Sequence, residues 1–264
     1  MRMESAEQAQ KNEAYLLALR DLLYQLADDE LTLGHRDSEW LGLSPDIEGD
    51  VAFSSVAQDE VGHAVFYFEL LHELGEKDPD RLAFARDLSE RKNAVLLERE
   101  NGDWAYSIAR HFMYDVWDDL RLEALTESSY VPLAKGAIKI RREEYYHLLH
   151  MHSYFVRLGQ AGKEAKKRLE LAVKAIWKDI GGIFGFGVYE QKLVEFNIIT
   201  KPAEELKQRW VKRMQQAFAE AQLTWPDSWE PVQYDGRRGE HSPELEQLLQ
   251  TMSEVYRIDP TARW

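Results

Sequence analysis

Four long stretches of this sequence repeat apolar side chains at three- and four-residue steps, the period of a helix that buries one face, and each stripe is interrupted near its middle by acidic residues. The first runs from about Asn12 to Gly34 and reads Leu16, Leu19, Leu23, Leu26, Glu30, Leu33. The second, from about Asp50 to Leu74, reads Phe53, Val56, Glu60, His63, Tyr67, Leu70, Leu74. The third, from about Trp104 to Thr126 with Asp103 as its N-cap, reads Ala105, Ile108, Phe112, Asp115, Asp119, Leu122. The fourth starts near Leu133, stops at Gly159, and reads Leu133, Ala137, Ile140, Glu144, His147, Met151, Tyr154, Leu158.

Glycine and proline gather between these stretches and no strand-period segment competes with them, so an all-α fold is expected. The segment HRDSEWLGLSPDIEG is expected as the loop joining the first two helices, and a short helix from about Arg81 to Glu98 joins the two pairs. Further helices are expected near Lys163 to Ile180, Pro202 to Leu223 and Pro243 to Tyr256. The glycine-rich GGIFGFG at 181–187 follows a helix, has no Lys-Ser/Thr pair and reads as a break or a close packing point, not a phosphate loop. One domain over 1–264 is expected, with a core bundle over about 12–158 and a helical extension over about 163–264.

A carboxylate moved from water into an apolar core costs several kcal/mol unless it is paired or binds a metal. Glu60 with His63, and Glu144 with His147, are i, i+3 pairs, about 4.5 Å apart along a helix axis and on one face. A short loop centred near Ser129 makes the third and fourth helices antiparallel neighbours. Glu144 lies 15 residues beyond that centre, and the matching level before it falls at Tyr114, next to Asp115. Asp119 sits one turn nearer the loop. The 30 residues between Glu30 and Glu60 match the 29 between Asp115 and Glu144, so the chain reads as two helical hairpins, each offering one acid and one Glu-x-x-His.

Glu30, Glu60, His63, Asp115, Glu144 and His147 thus form the pattern of di-iron and di-manganese carboxylate bundles. Bridging carboxylates neutralise two neighbouring dications, and the imidazoles leave positions open for water or dioxygen. Asp115, one methylene shorter than glutamate, binds at the edge, binds through water, or leaves the role to Asp119. The competing reading is a bundle whose buried acids and imidazoles only pair with one another. His111 reads as a core residue beside Phe112, and His35, His72, His150 and His152 as loop, surface or outer residues. Tyr67 and Tyr154 read as packing, and Lys163, Lys166, Lys167 and Arg168 as a solvated helix face.

Thirty-three Lys and Arg against 47 Asp and Glu give a net charge of −14, which argues against nucleic acid and anionic membrane surfaces as partners. Cysteine is absent, which removes thiolate metal sites and leaves His, Asp and Glu as ligands. The polar N-terminus and the lack of a long apolar run make the cytoplasm the expected location.

Five stretches carry a resemblance to a known family: LADDELTLGHRDSEWLG ending at Gly42, DEVGHA at 59–64, RHFMYDVWD at 110–118, REEYYHLLH at 142–150 and the C-terminal IDPTARW. Their order and spacing resemble the C-type component of the multicomponent phenylacetyl-CoA (ring 1,2-) epoxidase over nearly the whole chain. The resemblance implies a ferritin-like fold and a part in aerobic phenylacetate breakdown. There the ring of the CoA thioester is epoxidised with dioxygen, and a separate reductase delivers electrons from NADPH. It also implies an A-type partner that carries the working di-iron centre and the CoA-ester pocket, while C-type components act as structural partners that have lost most ligands. This sequence departs from that pattern, because Glu30, Glu60, His63, Glu144 and His147 all stand at ligand positions. It reads either as a C-type component that kept its site or as a catalytic chain, and the acidic charge favours the partner role. A free-standing di-iron oxidase or ferritin-like metal-binding protein is the alternative class.

Overall fold

The computed structural model describes residues 2–226 and 228–262; Arg263 and Trp264, the end of the IDPTARW stretch, lie outside them. Four long helices, α1 (Glu13–Ser38), α2 (Ile47–Glu73), α3 (Trp104–Leu125) and α4 (Val131–Gln160), form two antiparallel hairpins in a ferritin-like bundle. Helix starts follow local chemistry: Asn12, Asp46 and Asp103 accept from the backbone N–H of Tyr15, Gly49 and Tyr106, satisfying donors that a first turn leaves free. Pro132 opens α4 in its first turn, where no N–H is needed. In the first hairpin Arg20 reaches the Leu74 carbonyl and Gly34 lies against Glu60. In the second, Arg141 reaches Asp119 and Trp104 packs on Tyr154. The hairpins meet through α2 and α4, where Phe66 packs on Gly136, and through α1 and α3, where Trp40 donates to Ser107.

The apolar stripes are buried as the periodicity predicts: Leu19, Leu23, Leu26 and Leu33 face Phe53, Leu70, Ile108, Phe112, Leu133, Ile140 and Met151 in one core. Each such side chain contributes about 1.5–3 kcal/mol. Outside this bundle lie α5 (Lys163–Ile176), α6 (Ala203–Glu220) and α7 (Pro243–Met252). GGIFGFG forms the expected break: Ile180–Ile183 is a single 3-10 turn, and Gly187 adopts φ +67 against Gln25 and Asp21. Apart from one bridge between Met3 and Tyr130, the described residues hold no β-structure, and none of their helices is long and apolar enough to cross a membrane.

Two expectations are corrected. Gly34 does not end α1, which continues to Ser38; a Cβ at Gly34 would lie 2.9 Å from the Glu60 Cβ, so this glycine serves close packing. The segment 81–98 is not one helix but short turns at Pro79–Phe84, Leu88–Glu90 and Val95–Glu98. The reason lies on α1: Asp28 accepts from the Lys92 N–H at 2.8 Å and Asp29 from the Ala94 N–H at 2.8 Å, taking donors that a continuous helix would use internally. α4 ends at Gln160, beside Gly159 as expected, and a Cβ at Gly159 would overlap the Ala221 carbonyl oxygen and lie 2.8 Å from its Cβ. Gly159→Ala is therefore expected to cost roughly 1–3 kcal/mol through overpacking, read as a lowered midpoint of thermal unfolding.

Asp28, Asp29 and Glu30 are consecutive, so 3.6 residues per turn sends them in three directions. Asp28 pairs with Arg86 and Arg91. Asp29 accepts from Arg121 of α3 at 2.9 Å and from both Arg237 Nη atoms at 2.8 Å. Glu30 turns into the bundle.

Candidate metal centre

Each bundle helix presents a short polar row on its buried face. On α1 the row is Glu30, Gly34, Asp37, at i, i+4, i+7, and Glu60 of α2 fits into the space that Gly34 leaves. On α3 it is His111, Asp115, Asp118, again at i, i+4, i+7. On α2 and α4 it is Glu60 with His63 and Glu144 with His147. All of these charged or imidazole side chains are buried.

Ligand atoms of Glu30, Glu60, His63 and Glu144 lie within 4.8 Å of one another. His63 Nδ1 is 3.3 Å from Glu30 Oε2 and 3.3 Å from Glu144 Oε1. His147 Nδ1 is 3.3 Å from Glu60 Oε1 and 3.1 Å from Glu144 Oε1. Both imidazoles thus turn Nδ1 inward, and their outer nitrogens are held by the residues preceding each Glu-x-x-His. Glu143 on α4 takes His63 Nε2 at 3.0 Å, and Asp59 on α2 takes His147 Nε2 at 3.2 Å. Such outer carboxylates fix the tautomer and aim the inner nitrogen. A second group combines Asp37, Glu60 and His111, also within 4.8 Å.

Electrostatics show how this cluster is balanced without ions. Burial, then the charges of Glu144 and Glu30, push the Glu60 carboxyl well above the usual range. Burial lowers the His63 imidazole, but hydrogen bonds and charge from Glu144 and Glu30 outweigh it and lift it to about 11. His147 likewise overcomes burial through Glu144 and rises to about 9. Burial raises Asp115 to about 6 despite the neighbouring His111. The compensation is incomplete: Glu30 Oε1, Asp37 Oδ1 and Asp115 Oδ2 are buried without a hydrogen-bond partner, and Glu60 Oε1 and Glu144 Oε1 face only imidazole nitrogens at 3.1–3.3 Å. Bare buried oxygens with imidazole nitrogens are the donor set that iron or manganese takes, so the residues present fit such ions.

A sequence profile of the phenylacetic acid catabolic protein family matches residues 1–264. The chain belongs to this family. It is 30% identical over 241 residues to the C component of the 1,2-phenylacetyl-CoA epoxidase of Escherichia coli K12, covering 91% of this chain and 96% of that one. It is 23% identical over 220 residues to the A component of the same epoxidase, covering 81% of this chain and 71% of that one.

Of the six residues expected from the sequence, the structure gathers Glu30, Glu60, His63, Glu144 and His147 at one point. Asp115 is buried beside them, with Oδ1 held by His111 Nδ1 at 2.6 Å and Oδ2 without a partner. Asp119 turns to the bundle surface, where Arg141 and Arg213 hold it at 2.9 and 2.5 Å. His111, read as a packing residue, is instead clamped between Asp115 and Asp37. Asp37 escapes the sequence reading because Gly34 looks like a helix end. The signal is present all the same, since Asp37 continues the face of Glu30 at i+7.

Proposed function

We propose that this chain is the C-type component of a phenylacetyl-CoA 1,2-epoxidase, working beside a catalytic A-type component and a separate reductase, and that it keeps a carboxylate and imidazole two-metal centre. The observation that carries this reading is the near end-to-end match to the C component of the Escherichia coli epoxidase, covering 96% of that chain against 71% of the A component. Glu30, Glu60, His63, Glu144 and His147 hold the ions, with Asp115 at the edge, and Asp59 and Glu143 orient the two imidazoles. Iron or manganese held there supplies redox and dioxygen chemistry. The chain's own residues bury that position. They also shape the electrostatics before ions enter: neighbouring acids raise His63 and His147, and burial among acids raises the carboxyl of Glu60.

A partner surface is supported by apolar side chains on the outer faces of the same two helices. Val61 and Val65 on α2, and Ile138, Tyr145, Tyr146 and Leu149 on α4, are exposed. Apolar groups collected on one face mark an interaction site more often than scattered ones do. The net charge of −14 supports leaving the CoA phosphates to the partner.

Co-expression with an A-type component tests this. A stable complex is expected, dissociated by Val65→Arg with Tyr146→Arg, together with bound iron or manganese in the purified chain. If the chain stays apart from the A-type component, yet consumes dioxygen when loaded with iron, the result would instead support the free-standing oxidase that the completeness of the ligand set also fits.

A further inference from the structure

The pairing of His111 with two acids is more than the six-residue pattern needs. Its Nδ1 meets Asp115 Oδ1 at 2.6 Å, its Nε2 meets Asp37 Oδ2 at 2.9 Å, and Nε2 is 3.9 Å from Glu60 Oε1. All four side chains are at most 2% exposed. We propose that Asp37, Glu60 and His111 form the second cation position of this centre, displaced along α1 from the position of Glu30, Glu60, His63 and Glu144, with Glu60 shared between them. The proposal rests on the reading of the centre as metal-binding and departs from the expectation that Asp115 is itself a ligand.

Three observations support it. First, Asp115 holds Nδ1 and turns Nε2 toward Asp37 and Glu60, where an ion would take the place of the 2.9 Å contact between Nε2 and Asp37 Oδ2, in the manner of an outer acid that sets a ligand's tautomer. Second, Asp37 Oδ1 is buried with no hydrogen-bond partner, and Glu60 Oε1 lies 3.9 Å from the same Nε2, so acceptors gather on that side of His111. His147 Nδ1, also without a partner, faces the same Glu60 oxygen at 3.3 Å. Third, charge balance favours two ions. Glu30, Asp37, Glu60, Asp115 and Glu144 are five buried carboxylates against the three imidazoles His63, His111 and His147. Two divalent ions would bring four positive charges to that excess of acid. The other buried acids nearby, Asp29 and Asp118, already have Arg121 and Arg237.

The geometry also explains Gly34. Its missing side chain lets Glu60 sit midway between Glu30 and Asp37 on the α1 face, within reach of both positions. A single bridging carboxylate between two ions is what the chemistry requires there.

The test is an anaerobic titration of the ion-free chain with Mn2+, counting free ion by its electron paramagnetic resonance signal. The wild type is expected to bind two equivalents. Asp37→Asn and His111→Gln should each lose one and keep the other, while Glu30→Gln loses the other. Asp115→Asn should keep both, with the second loosened by about 10–100-fold, as for an outer ligand partner. Circular dichroism and thermal unfolding separate loss of a site from loss of the fold, and Asp37→Asn, a near-isosteric change, stands if His111→Gln does not fold. The proposal is overturned if Asp37→Asn and His111→Gln still bind two equivalents with little change in affinity. It is also overturned if the wild type binds one equivalent that both variants keep, or if Asp115→Asn removes an equivalent that Asp37→Asn spares. A wild type that binds no Mn2+ at all sinks the metal-binding reading itself, a result distinct from these.

Discussion

Glu60→Gln is expected to stabilise the ion-free protein and to abolish the stabilisation that divalent ions give the wild type. Glu60 is buried among carboxylates, and its carboxyl is pushed well above the ordinary value of 4.5 by burial, Glu144 and Glu30. A carboxyl raised in this way destabilises the fold as pH climbs from the unfolded value through the folded one, because the unfolded chain ionises freely and the folded chain does not. His63 and His147, raised to about 11 and about 9, act in the same direction: their contribution is complete below the unfolded value of 6.5 and is lost as pH rises through those figures. The ion-free protein should therefore weaken from mildly acidic to alkaline pH. Ion affinity should rise over the same range, since each ion must displace those protons.

Exchanging a carboxyl that the fold keeps from ionising for its neutral isostere removes that linkage cost, about 1.4 kcal/mol for each pH unit between the unfolded value and the working pH while the folded carboxyl stays protonated. Ion at about 1,000 times its dissociation constant adds about 4 kcal/mol to the wild type and nothing to a chain that cannot bind it. At roughly 2–4 °C per kcal/mol for a chain of this size, calorimetry with Mn2+ and with chelator resolves both shifts. A Glu60→Gln protein that still gains the full increment from Mn2+, or a wild type more stable at alkaline than at mildly acidic pH without ions, would falsify this account of the centre.

Arg237→Ala carries the other large effect, this time on the fold itself. Its guanidinium, 2% exposed, makes two 2.8 Å bonds to Asp29 and a third to the Lys92 carbonyl at 2.8 Å. Burial alone would raise the Asp29 carboxyl, but Arg237 and Arg121 more than offset it and hold Asp29 below the ordinary 3.8. A carboxyl lowered in the fold contributes stability above its unfolded value and loses it as pH falls through the folded one. Removing Arg237 leaves Asp29 buried with half its compensation, a loss of about 3–5 kcal/mol near neutral pH. The loss should shrink on acidification. The double change Asp29→Asn with Arg237→Ala should recover much of it, since it removes the stranded charge as well. Denaturant melts of the two single variants and the double form the cycle that measures the coupling.

How much is legible in advance differs between the scaffold and the site. The four long helices are read directly from leucine and aromatic spacing, because burial of a helix face imposes its period on the sequence. Five of the six expected ligand residues converge for the same reason, each being an acid or imidazole interrupting an apolar stripe. One glycine misleads that reading. Gly34 looks like a helix end by composition, yet it lies inside α1, where Glu60 approaches too closely for a Cβ. With α1 ended at Gly34, Asp37 falls into a loop and its relation to Glu30 is hidden.

The sequence by itself determined that this chain is an all-α bundle with an acid and imidazole row buried in each hairpin. Side-chain periodicity reports the face a residue occupies on its own helix, and that was enough. It carries no information about what stands opposite. Asp37 meets His111 across 74 residues of chain, Asp29 meets Arg237 across 208, and Asp59 and Glu143 cross between hairpins to hold the two outer imidazole nitrogens. Those pairings decide which buried acids are compensated by protein cations and which are left without one. Only the packing of the helices against one another decided them, because a buried charge is compensated by whatever group lies within a few ångströms, whatever its distance along the chain.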